Sequence, residues 1–206
     1  MNGQANCLTI SCGNNMPKFR FGRPLQSPVT KNTAWNRIEL FDRKAVIYSL
    51  MIGFGAALCM AFIWLCLVPH SLPLGSPSAL QIGATLAALI IGHELLHLLG
   101  FPRFGLGSDT SIGIWVELGS PYVQHHSCMI RNRFLFVAAL PFASLSILPI
   151  PMQFLGIGAT NYWSWVSVLN CIGAGSDIYV FFKIISIVPG KARVIEDGEA
   201  LYWQQC

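Results

Sequence analysis

Residues 79–99 read ALQIGATLAALIIGHELLHLL. The first fourteen hold no charge, and the run then delivers His93, Glu94 and His97 in the spacing HExxH. Roughly 20 predominantly apolar residues is the length at which a helix crosses the hydrocarbon of a bilayer. An ionisable group inside such a run is costly and marks function by default. The stretch therefore predicts two things at once: a membrane-crossing helix and a chemical site near its end.

The rest of the chain is built the same way. Further apolar runs cover 45–68, 134–155 and 163–188. Of the 206 residues, 53% are hydrophobic and 11% charged, against roughly 25% charged in a soluble domain. Mean hydropathy is +0.55. These values exclude an ordinary soluble domain, a disordered chain, a collagen-like fibre and a nucleic-acid module. From 45 to 99 the one charged residue is Glu94, and from 134 to 182 it is Asp177. Those two stretches make up half the chain, and both exceptions are acids.

Basic residues alternate across the runs. The segment before the first run holds seven Lys and Arg (Lys18, Arg20, Arg23, Lys31, Arg37, Arg43, Lys44). The first and third connections hold none, the middle one holds Arg103, Arg131 and Arg133, and Lys183, Lys191 and Arg193 close the pattern. The positive-inside rule then places both termini in the cytoplasm. Pro69, Pro73 and Pro77 bracket a tight first connection. Pro141, Pro149 and Pro151 predict kinks in the third run, and Pro189-Gly190 stops the fourth. Seven cysteines, with no CxxC pair, give neither a disulfide framework nor a cysteine zinc site.

The expected fold is an all-α polytopic membrane protein with four transmembrane helices and a cytoplasmic β-hairpin in its middle loop. Residues 1–44 form an N-terminal tail, 45–190 the four-span domain and 191–206 a C-terminal tail. Residues 1–33 lack apolar periodicity and read as a mobile segment. Trp35, Ile38 and Phe41 recur every third residue and suggest a short interfacial helix. The hairpin rests on SIGIWVEL, 111–118, where Ile112, Ile114, Val116 and Leu118 alternate before the turn signal Gly119-Ser120-Pro121. The bilayer is thus the first partner, and the bacterial cytoplasmic membrane the expected location.

On a helix, residues four apart share a face, so His93 and His97 can ligate one metal through neutral imidazoles. Glu94 is then placed to act as general base toward water at that metal. Random placement of five His and five Glu yields this pattern roughly 0.003 times in such a chain. A catalytic zinc usually takes a third protein ligand. Asp177, Glu117, His125 and His126 are candidates, and depth favours Asp177. It lies as far into the fourth run as His93 lies into the second, and both runs cross in the same direction. The small residues Gly173-Ala174-Gly175-Ser176 before Asp177, and Gly92 before His93, suit close helix approach. Asn170, two turns before Asp177, is placed to bind substrate backbone or to orient a ligand. An ordinary interhelical hydrogen bond would explain it equally.

HExxH in a membrane run, followed by a loop and a later run with Asp, resembles the site-2 protease class of intramembrane zinc metalloproteases. More closely it resembles a family of uncharacterised bacterial membrane proteins described as zincin peptidases. There HEL-x-H is followed by a loop, a Pro-bearing span and a span carrying Asp. The matching segments here are 93–97, Ala139-Leu140-Pro141, Ser176-Asp177 and 194–203. The resemblance implies zinc held by His93, His97 and Asp177, with Glu94 as base and peptide-bond hydrolysis in or near the membrane. Site-2 proteases place a Pro between their Asn and an Asp-Gly pair. Here no Pro separates Asn170 from Asp177, and Ile178 follows.

The expected function is a membrane-embedded zinc metalloendopeptidase acting on a membrane protein or peptide. Its substrate strand would add to the hairpin edge near Ile112 to Leu118, with Ile114 and Val116 as its contacts. The alternatives are a non-catalytic metal-binding scaffold and a small transporter.

Overall fold

The computed structural model describes residues 16–22, 24, 35–40, 42–68, 78–116, 119–157, 160–198 and 200–205. Glu117, His70 and most of the N-terminal segment lie outside them. The chain divides into two compact units. One contains residues 43–97 and 138–182, and the other contains 1–42, 98–137 and 183–206.

The first unit is helical. Helix α1 (Arg43–Leu67) buries Gly53, Ala57, Met60 and Trp64, a stripe at spacings of four, three and four that forms one helix face. That stripe packs with Cys171 of α5 (Thr160–Gly173), and Val168 and Ile172 flank it. The outer face leaves Leu58 and Phe62 exposed. Helix α2 (Ala79–Gly100) is apolar on all sides and buries only Gly100, the pattern of a helix whose solvent is lipid.

The third apolar run starts as α3 (Arg131–Pro141), changes to a π-helical turn over Phe142–Ile147, and ends as α4 (Pro149–Phe154). Three helices, counting Arg131–Phe154 as one, are long and apolar enough to cross a membrane. The fourth run is broken. It bends by 54° between α5 and α6 (Gly175–Ile187), so a fourth crossing exists only if the bent pair counts as one. At the bend the chain lies tightly against α1: a Cβ on Gly175 would sit 2.2 Å from Ser49 O, and one on Gly53 would sit 2.6 Å from Ile172 O. The small residues do permit close approach, but to α1. Gly92 has no neighbour within 4 Å of where its Cβ would stand.

The second unit corrects the all-α expectation. Its strands are β1 (Lys18–Phe21), β2 (Asn36–Glu39), β3 (Thr110–Trp115), β4 (Ser120–His125), β5 (Met129–Ile130), β6 (Arg193–Asp197) and β7 (Ala200–Gln204). They form two sheets, ordered β1-β3-β4 and β2-β7-β6-β5. The hairpin is present as β3–β4, with Gly119 at φ +61° in its turn. Among the described residues 35–40 the interfacial helix is absent, and Phe41 lies outside them. Ile38 is buried between exposed Arg37 and Glu39, a two-residue alternation, and the segment pairs with β7. The C-terminal segment is a hairpin as well: Asp197 pairs with Ala200 around Gly198, whose φ is +62°. Ile38, Met129, Val194, Ile195 and Leu201 are among the side chains that fill this unit's core.

Candidate metal centre

The helical unit brings His93, His97 and Asp177 together. One potential ligand atom from each lies within 4.8 Å of the others, and no other such group of His, Cys, Asp or Glu occurs among the described residues. The two histidines stand one turn apart on α2, with ring centroids 5.0 Å apart and planes at 75°. Asp177 enters from the first turn of α6, because the break at Ala174 starts a new helix there. A helix N-terminus favours a carboxylate through its unsatisfied N–H groups. Asp177 Oδ2 lies 2.9 Å from His93 Nε2 and 3.4 Å from His97 Nε2. The three side chains are 13–18% exposed, so the cluster is sheltered without being sealed.

The proton arrangement follows from Asn170. Its Nδ2 donates to Pro141 O at 3.2 Å and to Ser146 Oγ at 2.9 Å. A carbonyl can only accept, so the amide has one orientation and turns Oδ1 toward His93 Nδ1, 2.9 Å away. His93 therefore carries hydrogen on Nδ1, and its Nε2, 2.9 Å from Asp177 Oδ2, is left to offer a lone pair to a cation or to donate a second hydrogen to the carboxylate. Two acceptors at 2.9 Å require a cation or a second proton beside them. The donor set of two imidazole nitrogens and one carboxylate oxygen suits zinc. Tetrahedral bonds of roughly 2.0–2.1 Å put neighbouring ligand atoms about 3.3 Å apart, close to both separations seen here.

The support behind Asn170 comes from the prolines of the third run. The turn over Phe142–Ile147 follows a π register, with Leu148 N–H donating to Ala143 O at 2.9 Å. In that register the donor for Ser146 O would be residue 151, a proline that has none. Ser167 Oγ–H fills the vacancy. Ser164, Ser167 and Asn170 form a buried polar stripe on α5, and the last two meet the irregular turn. Sequence reasoning missed Ser146 and the Pro141 carbonyl. The cluster of three prolines was the available signal.

Glu94 is partly buried on α2, next to His93. The remaining candidates belong to the sheet-bearing unit and have other partners. His125 is buried, stacks on Phe101 with ring centroids 5.1 Å apart, takes Thr110 Oγ1 at 3.2 Å, and faces Asp109 Oδ2 at 3.5 Å. His126 Nε2 bonds Ser111 Oγ at 2.8 Å. Burial holds both imidazoles below the ordinary histidine value, and Asp109 only partly offsets this for His125. Burial opposes ionisation of Asp109, but the hydroxyl of Ser127 and the nearby His125 outweigh it and keep the carboxyl below its usual range.

Ile114 is exposed on β3, and Val116 is exposed in the turn that follows. The open strand edge expected there is occupied. β1 pairs with β3 in parallel, Phe21 opposite Ile114, which makes β3 a central strand.

A family model described as "Putative zincin peptidase" matches residues 86–191, just over half the chain. That family description points to metallopeptidase chemistry with zinc. No curated protein matches, and no solved structure matches.

Proposed function

We propose, from the premise that the chain belongs to this zincin peptidase family, that it is a membrane-embedded zinc metalloendopeptidase hydrolysing peptide bonds in or near the bilayer. One observation carries the reading: two imidazoles and a carboxylate converge inside apolar helices, and Asn170 fixes the tautomer of one imidazole. His93, His97 and Asp177 hold the zinc. Zinc supplies Lewis acidity toward water and toward the scissile carbonyl when bound. Glu94, one residue from a ligand, takes the proton of the attacking water and passes it to the leaving amine. Asn170 keeps His93 aimed by accepting its Nδ1–H, and the Nδ2 contacts to Ser146 and Pro141 keep Asn170 aimed in turn. A helical substrate has its carbonyls occupied, so the segment cleaved must be extended or must unwind first.

The test is Glu94→Gln in the full chain, assayed for bound zinc and for cleavage of a quenched-fluorescent peptide library. Retained zinc with cleavage reduced about 10²–10⁴-fold is expected for loss of a general base. Retained zinc with undiminished cleavage removes Glu94 from the chemistry. A zinc-loaded wild type that cleaves nothing favours a non-catalytic metal-binding scaffold.

A further inference from the structure

The three-stranded sheet has two unlike faces. Side chains alternate along a strand, and residues paired in register share a face. Phe19 pairs with Ile112 and Phe21 with Ile114. Ile112 in turn opposes Val123, and Ile114 opposes Pro121. Over this stretch one face is apolar, and at its far end the same face carries Thr110 paired with His125, both buried. The other carries Lys18, Arg20, Ser111, Gly113, Tyr122 and Gln124.

The β1 side of the apolar stretch is open, while Ile112, Pro121 and Val123 are half-buried. Phe19 is 80% exposed, Phe21 86% and Ile114 44%. Aromatic rings gain nothing from water, and a contiguous exposed apolar patch marks an interaction surface. Three observations identify lipid as its cover. The chain carries three helices fit to cross a membrane, and β3 begins ten residues after the end of one of them, α2. In sequence, exposed apolar residues continue past the end of α2. Phe104 and Leu106, each 63% exposed, follow within six residues and lead into β3. Basic residues interleave the aromatic ones, with Lys18 and Arg20 around Phe19 and Arg103 before Phe104. Rings set into the acyl boundary with long cationic stems reaching back to phosphate level is the composition of an interfacial segment. β1 is an edge strand, which leaves its cations free to reach around the sheet margin.

We propose that the β1-β3-β4 sheet is seated in the bilayer interface, with lipid acyl chains covering the face of Phe19, Phe21 and Ile114. This is independent of peptidase activity, so protein carrying Glu94→Gln serves equally well for the test. Single nitroxides are placed at 18, 19, 20, 21 and 114 in a full-length variant otherwise free of cysteine. The protein is reconstituted in phosphatidylcholine–phosphatidylglycerol vesicles. Collisions with lipid-soluble oxygen and with an aqueous nickel chelate are then compared. The expected result is a two-residue alternation, with oxygen dominant at 19 and 21 and nickel at 18 and 20, and with 114 behaving like 19. Position 114 reads the face from β3, so displacement of β1 by a label leaves the test intact. Dominant nickel contact at 19, 21 and 114 overturns the proposal. Shielding of those positions from both reagents also overturns it, because the face is then covered by protein.

Discussion

Asn170 turns a motif into a site. His93 and His97 were legible because their spacing places them on one helix face. Asp177 was legible because it is the one charge between residues 134 and 182. Neither signal says which nitrogen of His93 carries the hydrogen. That is decided by an amide held from behind by Ser146 Oγ and Pro141 O, a contact between distant segments that no periodicity reports. Replacing Asn170 by Leu should leave the His93 N–H unpaired and lower zinc affinity roughly 10- to 100-fold, the usual cost of losing such a support. A chelator competition titration measures it, and unchanged affinity would show that Asn170 merely fills space. Asp177→Ala should be more severe, since it removes a ligand. Metal analysis in detergent should find little zinc, and undiminished zinc would exclude Asp177 from the coordination sphere.

Between residues and the molecule stands the bend between α5 and α6. A run of small residues before Asp177 was readable as a close-packing signal, but not the helix it packs against. The sequence offers Gly92 and Gly53 alike, and only α1 comes near. Gly175→Ala places a Cβ against backbone atoms of Ser49 and Gly53, which cannot rotate away. Such overpacking typically costs about 1–3 kcal/mol. Because Asp177 is two residues on, thermal unfolding in detergent and zinc affinity should fall together. Gly173→Ala has open space around it and should change neither. Equal effects from both substitutions would mean that general helix flexibility, not contact with α1, governs the bend. The strands escaped for a different reason. Lys18-Phe19-Arg20-Phe21 alternates perfectly, and Asp197-Gly198 sits between two alternating segments. But each strand is four or five residues long, and short strands become stable only once a sheet collects them.

At the scale of the whole molecule, apolar runs and charge alternation made the helices readable, while the two sheets depend on pairings between segments far apart in the chain. β2 meets β7 across more than 160 residues, a relation that local pattern does not encode. Those sheets should also set how the protein responds to acid. His125 and His126 sit outside the apolar helices, and burial lowers the proton affinity of both. The unfolded chain therefore binds protons that the folded chain refuses, and stability rises with pH over that interval. Their contribution is complete above the ordinary histidine value of about 6.5 and drains away as pH falls through it toward the folded values. Asp109 adds the same sign lower down, since its folded carboxyl ionises more readily than an unfolded one, and its share is lost only below the usual carboxylate range. Unfolding of chelator-treated protein should consequently shift to lower temperature between pH 7.5 and 5, by about 2–4 °C for each kcal/mol lost in a chain of this size. Chelation leaves His93 and His97 without metal in every sample, so the comparison that isolates the sheet is with His125→Gln and His126→Gln combined. That variant should lose markedly less between the two pH values. If it loses as much as wild type, the acid response belongs to the metal centre, and the buried histidines of the sheet are bystanders.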